Sequence, residues 1–136
     1  MKTVINSIVI EENKLLLVKK KKTWILPGGK IEVGENDLEC LLREISEELS
    51  NTKIKDVNFY KEFSGITPHS KKMVKVKTYF AKIDGELYDS SQEISDVRYI
   101  SNFKDYKISN ITRNIIDSLI QDNYLIWFWL KAFNFF

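Results

Sequence analysis

The chain has 136 residues, 21 basic against 19 acidic side chains, a formal net charge of +2 and a single cysteine. That length holds one domain with a real core and is too short for two ordinary ones. The near-neutral balance gives no electrostatic footprint for duplex nucleic acid, and no reader motif supplies one.

A lone cysteine excludes an internal disulfide framework and suits a reducing compartment. Met1 to Ile10 contains no signal-peptide cleavage region, so the expected location is cytoplasmic. Val4 to Ile10 reads as a strand, Glu11-Glu12-Asn13 as a turn and Lys14 to Lys19 as a second strand. Its run Leu15-Leu16-Leu17-Val18 is continuous rather than alternating, the pattern of a strand covered on both faces. Lys19 to Lys22 are consecutive lysines just ahead of a glycine turn. They are either the solvated end of a hairpin or a patch that steers a polyphosphate, with Lys22 and, past the turn, Lys30 as the substrate-contacting candidates. Trp24 to Leu26 is a short extended piece, and Trp24 either packs under the following loop or stacks on a substrate base.

Pro27-Gly28-Gly29 permits a backbone path closed to bulkier residues, one whose amides and carbonyls can approach a metal or a phosphate. Asn36 is the candidate N-cap, with Glu39 completing a capping box. The helix that follows, Leu38 to Leu49, carries an apolar stripe of Leu38, Leu41, Leu42, Ile45 and Leu49. Glu44, Glu47 and Glu48 stand at i, i+3 and i+4, so they share one patch. Like charges at these spacings cost about 0.2–0.5 kcal/mol per pair on an isolated helix, and Arg43, which reaches Glu47 at i+4, cannot offset them all. A divalent cation would, and oxygen ligands select magnesium or manganese. Cys40, among apolar residues, reads as core filling.

Gly29, Glu35 and Arg43-Glu44-Ile45-Ser46-Glu47-Glu48-Leu49, at these separations and after the lead-in Trp24-Ile25-Leu26-Pro27-Gly28, resemble the signature of the Nudix hydrolases. The end departs from it: Ser50 and Asn51 stand where the family has glycine and an aliphatic residue. The resemblance implies an α/β fold, an α/β/α sandwich around a mixed curved sheet, and hydrolysis of a nucleoside diphosphate linked to a further group. It implies Mg2+, with Mn2+ as a substitute, held by Glu44, Glu47, Glu48 and the Gly28 carbonyl. Gly29 and Glu35 would give structural support, Glu35 acting with Arg43 to hold loop and helix in register. The group that takes a proton from the attacking water is left open between Glu47, Glu48 and Glu93. Glu93 enters because the segment Glu93 to Ile100 resembles a loop from which relatives bring an acid to the metal; Asp96 is its competitor.

Farther along, Ile54 to Phe63 reads as a strand and Gly65 to Ser70 as a loop carrying Pro68 and a surface His69. Met73 to Ile83 alternates, with Met73, Lys75, Lys77 and Tyr79 opposite Val74, Val76, Thr78 and Phe80. Asp84-Gly85-Glu86 is a turn and Val97 to Ile100 a short strand. Ser109 or Asn110 caps a second helix to about Leu119 or Ile120, burying Ile111, Ile115, Ile116 and Leu119. Tyr60, Phe63, Tyr79 and Tyr106 are weighed as base contacts against plain packing. The ending, Tyr124 to Phe136, is aromatic but too short for a membrane helix, which needs about 20 residues; it is expected to serve a homodimer.

The functional expectation is a magnesium-dependent pyrophosphohydrolase of the MutT-like kind, converting a nucleoside triphosphate, including oxidised ones, to a monophosphate and pyrophosphate. ADP-ribose hydrolysis is the enzymatic alternative. A non-catalytic nucleotide-binding or interaction module is the other, and the complete set Glu44, Glu47 and Glu48 argues against it.

Overall fold

In the residues that the computed structural model describes, 1–67, 71–87 and 93–126, the chain runs β1 (Lys2–Ile8), β2 (Ile10–Glu11), β3 (Lys14–Lys20), β4 (Thr23–Ile25), β5 (Gly28–Lys30), α1 (Asp37–Glu48), β6 (Thr52–Ile66), β7 (Met73–Gly85), β8 (Ile94–Ile100), a 3-10 turn (Phe103–Asp105) and α2 (Asn110–Gln121). Strands β5-β1-β7-β6 form one sheet, mixed because β1 and β7 are parallel while their other pairings are antiparallel. In the other, β3 pairs with β2, β4 and β8, all antiparallel. Both hairpins of β3 turn on two residues of positive φ: Glu12 and Asn13 (50° and 61°), then Lys21 and Lys22 (48° and 68°). Two such residues match the twist of the flanking strands.

The leucine run on β3 explains the layering. Leu15 and Leu17 enter a core with Val74, Val76, Ile111, Ile115 and Leu119, under α2. Leu16 and Val18 enter another with Cys40, Leu41, Ile45 and Leu49, under α1. Successive side chains of a strand point to opposite faces, so a sheet sandwiched between helices needs apolar residues at every position. β7 obeys the same rule: Val74 and Val76 face α2, while Ala81 and Ile83 face α1. The architecture is the α/β/α sandwich.

Helix α1 begins with the full capping box: the Glu39 amide donates to Asn36 Oδ1 at 2.8 Å, and the Asn36 amide to Glu39 Oε1 at 3.0 Å. Its buried face differs from the expected stripe. Leu38 and Leu42 are 48% and 46% exposed, whereas Cys40, Leu41, Ile45, Leu49 and Glu48 are buried. The face is turned toward Cys40 and carries a carboxylate within it. Helix α2 starts at its Ser109 cap and buries Ile111, Ile115, Ile116 and Leu119. Its C-terminal end is tied to β6, where Lys61 meets Asp122 at 2.7 Å and the Tyr60 hydroxyl bonds Ser118 and Asp122. Leu125 is buried, and the Ile126 backbone exchanges two 2.7 Å hydrogen bonds with the Asn13 side chain. The expected loop residues Pro68 and His69, and the tail from residue 127 with its proposed dimer role, lie outside the described residues. No helix among the described residues is long and apolar enough to cross a membrane.

The rotated helix face sets a direct comparison. Leu41→Ala should cost about 2–5 kcal/mol through loss of burial and a cavity, while Leu42→Ala should stay near the surface range of about 0.5 kcal/mol. Urea unfolding of the two variants measures the contrast.

Candidate active site

The glycine turn is fixed first. β5 lies antiparallel to β1, with Ile5 opposite Gly29 and Asn6 opposite Gly28, and the Ser7 amide donates to the Pro27 carbonyl at 2.8 Å. Gly28 has φ +144°, and a side chain there would run into the Ile5 carbonyl and Asn6. At Gly29 the obstacle is the Glu44 carboxylate itself. Gly28 requires glycine because the β1 backbone lies directly against it, whereas a side chain at Gly29 would have to displace the Glu44 carboxylate.

The loop and α1 are joined at two points. Gly28 N–H donates to Glu48 Oε1 at 2.8 Å in a buried contact. Arg43 forks onto Glu35, Nε to Oε2 at 2.7 Å and Nη2 to Oε1 at 3.0 Å, while Nη2 also donates to the Lys30 carbonyl at 3.1 Å. Its Nη1 reaches Glu44 at 2.9 Å and Glu47 at 3.4 Å. Glu35 accepts a further bond from the Glu32 amide at 2.8 Å. These bonds, the Arg43 fork foremost, hold the Glu35 carboxyl below the usual range. Cys40 sits underneath, buried, its thiol pushed up to about 11 chiefly by burial, so it packs rather than reacts.

The remaining carboxylates are under opposite stress. Glu48 is 5% exposed. Burial, with the charges of Glu44 and Glu93, pushes its carboxyl up to about 8 against the pull of the Gly28 amide and Lys20. Glu44 is also raised, by burial first and then by Glu47, with Arg43 and Lys20 opposing. Glu47 keeps 56% of its side chain exposed.

Among the described residues no three His, Cys, Asp or Glu side chains converge as they stand on one ion position. Arg43 draws one oxygen each of Glu44 and Glu47 to itself, while Glu48 is turned to Gly28. The donor set nevertheless suits a hard divalent ion: carboxylates on one helix face, two of them held toward the neutral form by burial and mutual repulsion. Gly28 offers its amide to this cluster.

A cavity of about 220 Å³ opens beside the turn, lined by Lys20, Gly28, Gly29, Lys30, Asn6, Ser109 and Thr112, with Leu26, Val74, Val76 and Ile111 as apolar wall. Lys30 lines it. Lys22, expected to contact substrate, instead occupies the exposed tip of the β3–β4 hairpin, and Lys20, not singled out from the lysine run, takes the place beside the cavity. Trp24, the other substrate candidate, is 5% exposed, with Tyr106 edge-on at 5.4 Å and the Arg98 guanidinium 5.7 Å from its ring; it is a core residue. Tyr60 and Phe63 pack on one core and Tyr79 on the other. Tyr79 also donates to Asp37, which meets Lys77 at 3.2 Å, fastening β7 to the start of α1.

Glu93 pairs with Lys20 at 3.0 Å. Asp96 stands opposite Lys19, which falls on the α2 face of β3, and binds Arg98 at 2.8 Å. Lys20 was legible in principle. It continues the Leu16-Val18 face, but only the register of the two-residue turn says so.

The NUDIX domain model matches residues 1–117. The m7GpppN-mRNA hydrolase of Saccharomyces cerevisiae is 33% identical over 123 residues, covering 77% of this chain but only 12% of that protein, so the chain spans about an eighth of the length of this relative. The 8-oxo-dGTP diphosphatase of Buchnera aphidicola subsp. Acyrthosiphon pisum is 30% identical over 114 residues, 80% of this chain and 86% of its own. In fold, the MutT protein from Methanosarcina mazei Go1 superimposes with a TM-score of 0.74 at 17% identity, over 90% of this chain and 94% of that one. A glycine turn buttressed by Glu44 and Glu48, an Arg43–Glu35 fork, an α/β/α sandwich and a family model spanning all of them place the chain in the Nudix hydrolase family.

Proposed function

We propose that this Nudix hydrolase is a magnesium-dependent pyrophosphohydrolase that converts a nucleoside triphosphate, oxidised deoxynucleotides included, to a monophosphate and pyrophosphate. The observation that carries the reading is the buried Glu48, tied to the amide of Gly28, a residue that itself lines a cavity together with Lys20 and Lys30. Acid and base charges are thus separated, the carboxylates on the helix and the ammonium groups on the strands. A triphosphate lying along Gly28 and Gly29 would meet both. The nucleoside would then occupy the cavity, between the apolar wall and the polar groups of Asn6, Ser109 and Thr112. A relative of similar length that acts on 8-oxo-dGTP supports the triphosphate over larger substrates.

Glu44, Glu47 and Glu48 would hold Mg2+, with Mn2+ able to replace it. When bound, the ion withdraws charge from the bridging phosphates and lowers the pKa of a coordinated water. The chain's own contribution is positional. Arg43 keeps the turn and α1 in register through Glu35 and the Lys30 carbonyl, and it steadies Glu44 and Glu47 until they are needed elsewhere. Lys20 and Lys30 place positive charge where the phosphate oxygens would lie. The proton of the attacking water passes to Glu47, Glu48 or Glu93. Of these, Glu48 is the most enclosed and Glu93 the most exposed, with 70% of its side chain in solvent.

A panel of nucleoside triphosphates, oxidised dNTPs, ADP-ribose and capped dinucleotides, assayed with Mg2+ for mono- and pyrophosphate products, tests the reading. Release of pyrophosphate from a triphosphate is the expected result, and inertness toward all of them refutes it. On the best substrate, Glu47→Gln and Glu48→Gln should each lower turnover at least about tenfold, equal to about 1.4 kcal/mol of transition-state stabilisation. Glu93→Gln, measured beside them, separates the base from the ion ligands by whether kcat falls with or without a change in Mg2+ dependence.

The pH dependence follows from Glu48. Its folded carboxyl near 8 lies above the ordinary 4.5, so between those values the folded chain holds a proton that the unfolded chain has released. This contribution is complete below about pH 4.5 and is lost as pH rises through about 8. In EDTA, thermal midpoints should therefore fall across this window, and Glu48→Gln should flatten the slope. Scanning calorimetry or circular dichroism melts in a pH series would read it.

A further inference from the structure

Asparagine is a poor strand former, yet Asn6 stands inside a strand paired on both sides, opposite Gly28 of β5 and Thr78 of β7. Alternation sends its side chain to the α2 face of β1, the face on which Val4 and Ile8 join the apolar core. Asn6 is only 7% exposed, and its carboxamide has no hydrogen-bond partner among the described residues. The neighbouring Thr78 hydroxyl is turned to the Lys61 carbonyl at 2.6 Å. On the α2 side of the cavity, Ser109 and Thr112 bond each other at 2.8 Å as the helix is capped. Those hydroxyls are engaged and the amide is not. No fully enclosed side-chain nitrogen or oxygen among the described residues lacks a partner, so the Asn6 carboxamide opens onto the cavity that it lines.

An amide left open in a largely buried place costs stability that leucine or valine would not, and the packing of β1 makes no use of it. Its unspent bonds point to a ligand. The surroundings restrict which part of one. Val4, Leu26, Val76 and Ile111 make the adjoining wall apolar, where a sugar would leave hydroxyls without partners but a flat heterocycle buries its faces and keeps its polar atoms at the edge. A carboxamide presents one acceptor and one donor side by side, in either order once rotated by half a turn. Such a pair complements a base edge on which a ring N–H adjoins a carbonyl. Asn6 also lies against the glycine turn, since a Cβ at Gly28 would come within 2.7 Å of its Oδ1.

We infer that Asn6 is a specificity-determining residue that reads the nucleobase, its carboxamide making a paired hydrogen bond with the N–H and C=O of an oxopurine edge. The residue then has two opposed effects. It strengthens binding of such a base and weakens the fold that holds it. The role rests on the proposed hydrolase reading, which puts the nucleoside in this cavity, but its test requires no turnover.

In the test, wild type, Asn6→Leu and Asn6→Val are titrated in the presence of Mg2+ with GMP and with purine riboside 5′-monophosphate, binding being followed by NMR chemical shifts. The second nucleotide keeps the sugar and the phosphate but lacks the ring N1–H and the O6 carbonyl. Both variants should bind GMP about tenfold or more weakly, because two hydrogen bonds to the base are lost together, and purine riboside monophosphate no more than about threefold more weakly. Their melting midpoints without nucleotide should rise above wild type, because an open amide has been replaced by an apolar side chain. An equal loss for the two nucleotides puts Asn6 on the sugar or phosphate, or gives it a structural role, and overturns the inference. So does an unchanged GMP affinity, a lower midpoint in both variants, or a wild type that binds neither nucleotide. Failure of the hydrolase reading shows separately, as a wild type that prefers GMP through Asn6 yet releases pyrophosphate from no triphosphate.

Discussion

A carboxylate buried in a protein interior must be neutral, paired or held, and Glu48 is held by the backbone amide of Gly28. Much of the molecule is arranged around that contact. The amide is in place because β5 pairs with β1 and Ser7 grips the Pro27 carbonyl. The carboxylate is in place because Leu41, Ile45 and Leu49 anchor α1 on the sheet. Neither side alone would bring the two together. A glycine is needed at position 28 for its backbone angle and its clearance from β1, and at position 29 because Glu44 lies over it.

Arg43 manages the electrostatics of the same junction. Within its reach are Glu32, Glu35, Glu44 and Glu47, a set no single guanidinium neutralises. Its bidentate fork goes to Glu35, which is structural, and its weaker 3.4 Å contact to Glu47, which is exposed. The pair that sets register is the strongest, Glu44 is held at 2.9 Å beside it, and only the contact to exposed Glu47 is loose. Net repulsion left in the cluster favours a doubly charged ion, at the cost of holding Glu48 and Glu44 toward their neutral forms in its absence.

The sequence disclosed those parts of this design that depend on local spacing. The capping box of Asn36 and Glu39, the triad of Glu44, Glu47 and Glu48, the Ser109 cap and the double-faced leucine run on β3 are all readable within a few residues. The phase of α1 was misread for an instructive reason. Glu48 sits inside the buried arc with Cys40 and Leu41, and a reading that assigns every carboxylate to the solvent side must rotate the apolar stripe toward Leu38 and Leu42, which are about half exposed. Lys22 was favoured over Lys20 because turn length and strand register depend on pairing across the sheet. Asp96 and Glu93 could be told apart only by partners distant in the chain: Asp96 stands opposite Lys19 and binds Arg98, whereas Glu93 pairs with Lys20.

On the proposed function, chemistry and selectivity would be carried by different layers. The carboxylates belong to α1 and the glycine turn, on one side of the sheets, whereas Ile111, Thr112, Val74 and Val76 give the cavity its wall from the α2 side. Substitutions in that wall alter the shape offered to a nucleoside without touching the acid cluster or the Arg43 fork. Conversely, on the same reading the acid cluster would bear on phosphates, which all candidate nucleotides share. Divergence in substrate choice on a constant reaction is therefore mechanically easy in this fold. The constraint lies at Gly28, where the β1 backbone leaves no room for a side chain, and at Gly29, where one would displace Glu44.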